Sequence, residues 1–434
     1  MKIAFYHELH GSSDCGLEDV LQGTRPTSGG MGRIKIACHL ARAGHDVSVF
    51  HHLKTPGGEA MVSGVRAVQV RDAAEFVEGC AHLTRDDAII VNTFDGFSTL
   101  GDRLRSVPAV KLVWAGVNVP FEWCEALDQE RFHRLVCVSD TSRDVYRLHP
   151  RFDFVEYIYT CFDFQVPSPV TPDSDSVVFL GALREEKGFH QLLAAWPLVR
   201  QRRPGATLSV FGSVRLHFPD APVGLTGVLT PDFERNYLHP ILPASGDWRD
   251  IGIHFRYPAS KEALYRALTR TGVGVVNPRL TGSLETYCLA AVEMQACGCP
   301  CIGGGAGGLL ETIRDDFSGY HLRRGTAEEL AGKIVSVLSD DALRARLRQG
   351  ALAHSRPFAS PDREARDWLE VIDRAKRQAP SPHRSDPLTD AARWLGVGRV
   401  KLLAKQILSH NPTAMHAVRS FRSEVARLRQ IAKG

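Results

Sequence analysis

Two glutamates, Glu285 and Glu293, have the type and spacing to do chemistry in this chain of 434 residues. They lie in the stretch 271-TGVGVVNPRLTGSLETYCLAAVEMQACGCPCIGGGAGGLLETI-313. Leu284 to Ala296 predicts a helix, with Ser283 as its cap and Thr286 to Glu293 as its body. Eight residues on a helix are a little over two turns, or roughly 12 Å, so both acids can share one side. That separation suits a ligand with two hydroxyl-bearing rings rather than one metal ion. The start of a helix also offers free backbone N–H groups that attract phosphate. The hydroxyls of two sugars with a diphosphate between them match this layout. On a solvated helix the same pair would carry no function. Here the helix is mostly apolar and lies between two apolar runs read as buried strands, Val273 to Val276 and Pro300 to Ile302. A glycine-rich turn follows, Gly303 to Gly308, with Glu311 just beyond it.

Other stretches must position this site. Val177 to Leu180 reads as a strand, followed by Gly181-Ala-Leu-Arg184-Glu-Glu-Lys187-Gly188 and a helix from Phe189 to Arg200. Arginine and lysine at such a turn suit a diphosphate, because both bring charged donors to phosphate oxygens. Near the N-terminus, the strand Lys2 to Tyr6 and a long loop, Glu8 to Ser28, precede Gly29-Gly30-Met-Gly32-Arg33 and a helix from Ile34 to Ala43. Strand, glycine loop, helix and strand (Asp46 to His51) make one unit of a doubly wound sheet. The G-x-G-x-x-G spacing of a dinucleotide fingerprint is absent. Further strands are read at 65–70, 88–91, 110–114 and 135–138. Ligands of parallel sheets bind beyond the carboxyl ends of strands, so Asn92, Asp95, Asn118, Ser139 and the Trp114 region are cleft candidates. Arg256 and Tyr257, after the strand Ile251 to Arg256, are candidates for a base pocket.

Three pieces of text together resemble the donor-binding signature of GT-B glycosyltransferases of family 4, the glycosyl transferases group 1 of retaining type. The family pattern is E-G-F-G-x-x-x-x-E, then A-x-G-x-P-V, then G-G-x-x-E. The chain has Glu285-Thr-Tyr-Cys-Leu-Ala-Ala-Val-Glu293, Ala296-Cys-Gly-Cys-Pro300 and Gly307-Gly-Leu-Leu-Glu311. Thr286 and Cys288 stand where the family has glycines. The resemblance implies that Glu285 lies near the transferred sugar and that Glu293 binds the ribose. It places Lys187 on the family lysine of G-R-L-x-x-x-K-G, with Ala182 at the arginine position and Arg184 two residues later. It implies that a donor pocket is formed by Gly30, Gly32, Arg184, Lys187, Arg256, Glu285, Thr286, Tyr287, Cys288, Leu289, Glu293, Gly307 and Gly308. In many relatives a histidine follows the strand matched by 110–114 and bonds the transferred sugar. Here that place holds Ala115-Gly116, and Asn118, Glu122 or His10 is a candidate substitute.

Length and composition fit this picture. A chain this long exceeds one ordinary core and suits two domains. Apolar residues make up 44% and charged residues 24%, as in globular proteins. A net charge of +4 gives no argument for nucleic acid. The ten cysteines sit mostly in apolar runs, as reduced thiols do, and metal binding is not expected at Cys297, Cys299 and Cys301. The N-terminus lacks the pattern of a signal peptide and no run reaches membrane-span length, so a cytoplasmic enzyme is expected.

The fold class expected is α/β: a GT-B fold, two Rossmann-like domains facing a cleft. The first, acceptor-binding domain spans 1–165 and a linker follows at 166–176. The second, nucleotide-sugar-binding domain spans 177–357, a helix crosses back at 358–376, and a basic extension covers 377–434. The expected activity is transfer of a sugar from a UDP-, GDP-, ADP- or dTDP-linked donor to a hydroxyl acceptor, with retention and no obligatory cofactor. Glu285, Lys187, Arg184 and Asn118 are the catalytic candidates. The acceptor class stays open among a carbohydrate, a lipid-linked glycan and a small molecule, as does the oligomeric state. The basic tail admits peripheral contact with the inner face of a membrane. Two rival readings remain: a non-catalytic scaffold of the same fold, and a sugar-nucleotide epimerase.

Overall fold

The chain is organised as two α/β halves, each on one mostly parallel sheet. The computed structural model describes residues 1–7, 30–53, 55–92, 97–120, 123–124, 127, 131–149, 151–161, 166, 170–216, 220–256, 260–280 and 285–377. The loop 8–28, His10, Asp95, Glu122, Tyr257, the Ser283 cap and the extension beyond 377 lie outside the described residues.

The first half contains β1 (Lys2–His7), α1 (Gly30–Arg42), β2 (Asp46–His51), β3 (Glu59–Val62), β4 (Val65–Gln69), α2 (Ala73–Gly79), β5 (Ala88–Asn92), α3 (Phe97–Arg103), β6 (Val110–Ala115), β7 (Arg134–Cys137), α4 (Asp140–Asp144) and β8 (Val155–Tyr157). The strands order as β3-β4-β2-β1-β5-β6-β7-β8. Strands such as β6, buried at every position, are near-continuous apolar runs because helices cover both faces of a parallel sheet. The antiparallel pair β3–β4 closes through Ser63 and Gly64, both at positive φ, as a two-residue hairpin requires.

The second half contains β9 (Asp173–Leu180), α5 (Phe189–Arg202), β10 (Thr207–Phe211), β11 (Ile253–Arg256), α6 (Lys261–Thr269), β12 (Thr271–Val276), α7 (Leu289–Ala296), β13 (Cys301–Gly304), α8 (Leu309–Thr312), β14 (Gly319–Leu322), α9 (Ala327–Ser339) and α10 (Asp341–Ser355). Its strands pair in parallel in the order β11-β10-β9-β12-β13-β14. In each sheet the strand order reverses once, between β1 and β5 in the first and between β9 and β12 in the second. A crevice opens at such a reversal, beyond the carboxyl ends of the strands.

β9 begins at Asp173, inside the stretch expected to be linker. Those polar residues join the sheet because Asp173 pairs with Thr271 and Arg203 holds the Asp175 carboxylate at 2.6 Å.

The last helix, α11 (Pro361–Arg377), returns to the first half and packs on α1. Its buried face carries Trp368, Val371, Ile372 and Ala375, and one apolar cluster runs from these into both halves. A buried polar pair fixes the crossing. Glu364 Oε2 lies 2.8 Å from His39 Nδ1, and Oε1 accepts the Cys161 amide at 3.1 Å. Removing one partner of a buried pair costs more than the pair contributes, because the other is left desolvated. Glu364→Ala is therefore expected to lower stability by about 3 kcal/mol. A urea melt checks this as a lower midpoint at unchanged slope, with Glu364→Gln falling between the two.

Candidate active site

The segment Glu285–Cys288 lies between the two halves and is hydrogen-bonded to residues of both. The expected helix from Leu284 is shorter than predicted: α7 starts at Leu289, with Cys288 at its N-cap. A helix continued backwards would need the Glu285 carbonyl to accept from Leu289. Instead that carbonyl accepts the Gly308 amide at 2.6 Å, and the Thr286 carbonyl accepts the Ser139 hydroxyl at 2.6 Å. Glu285 thus precedes the helix and Glu293 sits on it, so the shared helix side expected for the two acids does not exist.

The glycine turn makes this possible. A Cβ at Gly307 would stand 2.3 Å from the Glu285 carbonyl oxygen, and one at Gly308 would stand 2.3 Å from that of Thr286. Gly307 also has φ +62, in the left-handed region. The N–H of Gly308, one of the residues expected in the donor pocket, is taken by the Glu285 carbonyl.

Glu285 points to the crevice between β9 and β12. Its Oε2 lies 2.7 Å from Lys187 Nζ and accepts Asn277 Nδ2 at 3.2 Å. Lys187 comes from the turn after β9, and Asn277 follows β12 directly. Burial works against the charge on Lys187, but the charge and hydrogen bond of Glu285 outweigh it and hold the ammonium above its ordinary range. Glu293 is buried on α7, and its Oε1 lies 2.6 Å from Lys261 Nζ and 2.9 Å from the Tyr265 hydroxyl. Burial, then the Glu293 charge, pushes the Tyr265 hydroxyl up. Lys261 and Tyr265 are one turn apart on α6, so they reach the same oxygen from one face.

The remaining expected residues divide. Arg184 sits in the Lys187 turn and pairs with Glu186 at 3.1 Å. Thr286 and Tyr287 reach across to the first half: their hydroxyls donate to the Gly116 carbonyl at 2.9 Å and the Thr160 carbonyl at 3.0 Å. Cys288 is buried, and burial pushes its thiol up to about 12. Leu289 is the first residue of α7. Arg256 is exposed at the end of β11, an edge strand separated from β12 by β10 and β9. Asn118 is exposed and accepts the Ser142 hydroxyl at 2.5 Å. Gly30 and Gly32 fall within the first turn of α1 rather than in a loop before it.

Sequence reasoning missed Asn277, Lys261, Tyr265 and His7. The Lys-x-x-x-Tyr spacing on α6 was a visible signal for two of them. At the first crevice His7, ending β1, meets Asn92, ending β5, with His7 Nδ1 2.7 Å from Asn92 Nδ2. A small pocket with room for about one water molecule lies there, lined largely by apolar side chains such as Phe5, Ile36, Ile90 and Trp114. Glu311 also joins the halves: its carboxylate accepts the Asp140 and Thr141 amides at 3.1 and 2.7 Å and the Tyr159 hydroxyl at 2.7 Å.

Residues 248–354 match the family described as Glycosyl transferases group 1. A D-inositol 3-phosphate glycosyltransferase of Jonesia denitrificans is 30% identical over 212 residues, 48% of this chain and 45% of the relative. One of Salinispora arenicola is 30% identical over 46% of this chain and 41% of the relative. The chain thus spans less than half the length of these relatives. Among solved structures, HepE of Anabaena in complex with UDP and glucose superposes with a TM-score of 0.60 at 15% identity, covering 86% of this chain and 99% of that one. The sucrose-phosphate synthase of Thermosynechococcus elongatus gives 0.60 at 16% identity, covering 86% and 98%. These likenesses establish the GT-B fold of the chain, and residues 248–354 carry its similarity to the glycosyl transferases group 1.

Gly307→Ala is expected to cost about 2 kcal/mol or more, from the left-handed backbone and the contact with Glu285. Gly332→Ala, in α9 with open space at its Cβ, is the control. It is expected to stabilise by up to about 1 kcal/mol. Thermal melts of both variants check this, and equal effects would contradict the close-approach account.

Proposed function

We propose that this chain, with its GT-B fold and group 1 glycosyltransferase segment, moves a sugar from a nucleoside diphosphate donor to a hydroxyl acceptor, with retention. The reading rests above all on the Lys187–Glu285 pair, which brings residues 98 apart in sequence to one point at the reversal between β9 and β12. A carboxylate alone there would repel a diphosphate. Beside Lys187 its charge is balanced, and the lysine is placed to take phosphate charge as the leaving group departs. Glu285 Oε1 has no partner among the described residues and is left for a sugar hydroxyl. Glu293 Oε2 is likewise left for a ribose hydroxyl.

The acceptor is read as sitting at the first crevice, near His7 and Asn92. His7 belongs at the strand end of that crevice and so joins Asn118 as a replacement for the missing family histidine. The relatives named above act on D-inositol 3-phosphate, and a small polyol phosphate is therefore one acceptor to try. A lipid-linked glycan is another, and the basic extension beyond 377 would then bring the protein to an anionic membrane surface. No helix of the described residues is long and apolar enough to cross a membrane. The scaffold reading draws on the side chains of Thr286 and Cys288 where the family pattern has glycines.

One experiment separates these readings. The protein is incubated with UDP-, GDP-, ADP- and dTDP-sugars, and nucleoside diphosphate release is followed alongside thermal shift. A true donor stabilises the fold, by about 2.7 kcal/mol at a hundredfold excess over Kd. Lys187→Met with Glu293→Gln is expected to lower kcat/KM by about 100-fold or more. Binding without release would favour the scaffold, and unchanged turnover in the double variant would overturn the assignment of the site.

A further inference from the structure

We propose that Thr286 and Tyr287 are positioning residues: with Glu311 they form a side-chain latch that holds the donor segment against the first domain. The observations are four sets of hydrogen bonds that cross the cleft. Thr286 Oγ1 donates to the Gly116 carbonyl after β6, and Tyr287 donates to the Thr160 carbonyl. Ser139 Oγ donates to the Thr286 carbonyl while accepting the Ser142 amide at 3.0 Å, so one hydroxyl caps α4 and grips the segment. Glu311 accepts two amides at the start of α4 and the Tyr159 hydroxyl. Burial, then the Glu311 charge, pushes that tyrosine hydroxyl up, so it stays protonated and remains a donor.

The position of these bonds gives them a role beyond a generic interface. Glu285 is the residue before Thr286, and its carbonyl is bonded to Gly308, three residues before Glu311. The segment that presents Glu285 to Lys187 is therefore the same one that the first domain holds. Thr286 and Tyr287 also stand where the family pattern has glycine and phenylalanine, neither of which carries a hydroxyl. Two of the crossing bonds are thus made by the residues at which this chain departs from the pattern. Opening the cleft would break all four sets together, because Gly307 and Gly308 tie Glu311 to the segment.

The test uses hydrogen exchange on the full chain without ligand. In Thr286→Val/Tyr287→Phe the amides of Asp140 and Thr141 are read, which bond to Glu311 and not to the altered side chains. The latch predicts that both exchange about tenfold faster, equivalent to about 1.4 kcal/mol of opening. Thr286→Ser, which keeps the hydroxyl, stays at the wild-type rate. Unchanged exchange in a folded double variant would overturn the proposal, as would equally fast exchange in Thr286→Ser. If the double variant does not fold, Tyr287→Phe alone carries the same comparison. A kinetic arm rests on the transferase reading: kcat/KM for the acceptor falls by a similar factor, while the affinity for UDP, GDP, ADP or dTDP alone changes less than twofold. An equal loss in nucleotide affinity would place the effect in the donor pocket and overturn the latch. Exchange needs no turnover, so a failure of the transferase reading would be seen separately.

Discussion

The close approach of two backbones, Gly307–Gly308 against Glu285–Thr286, is the constraint on which the candidate site depends. At 2.3 Å from a carbonyl oxygen there is no room for a side chain, and the Gly308 amide fills the space with a hydrogen bond. That bond takes the Glu285 carbonyl out of the helical ladder. The four residues before α7 then lie outside the helix. Their side chains point where a helix could not send them: Glu285 to Lys187 and Asn277 in its own half, Thr286 and Tyr287 to the other half.

Charge follows from this placement. Glu285 and Glu293 are each paired with a lysine, at 2.7 and 2.6 Å, and both carboxylates are largely removed from water. Two unit charges about 4 Å apart attract by about 4 kcal/mol at an effective dielectric near 20, but desolvation offsets much of that. The pairs therefore stabilise the fold little. Their effect is to fix one oxygen of each carboxylate and leave the other directed outward. A site built this way presents acceptor oxygens to hydroxyls and ammonium groups to phosphate without a net negative charge that would repel the donor.

Much of the architecture was legible in the sequence because parallel strands buried on both faces are short apolar runs, and β5, β6 and β12 are such runs. Lys187 and the two glutamates were legible as spaced text. The helix start was not, since apolar periodicity carries no record that residues 308 and 139 claim the carbonyls of 285 and 286. β9 was read too short for a similar reason: Asp173 to Ser176 look like a loop, and Thr271 and Arg203, far along the chain, draw them into the sheet. The partners of Glu293 lie 28 and 32 residues before it, on a helix whose own pattern was clear but whose neighbour was not. His7 was hidden likewise, because Asn92 meets it only once β1 and β5 pair.

Two of the departures from the family pattern, at Ala115-Gly116 and at Thr286, belong together. The family histidine is missing at Ala115-Gly116, and the Gly116 carbonyl is where the Thr286 hydroxyl arrives. One position lost a side chain, and the facing position gained one that reaches into the same space. Decay of an unused active site would scatter changes, and it would loosen the lysine and asparagine that hold Glu285. Here those partners are in place at hydrogen-bond distance, and two of the changes, at Gly116 and Thr286, lie on the two sides of a single contact. The cleft is better understood as joined differently than as degraded.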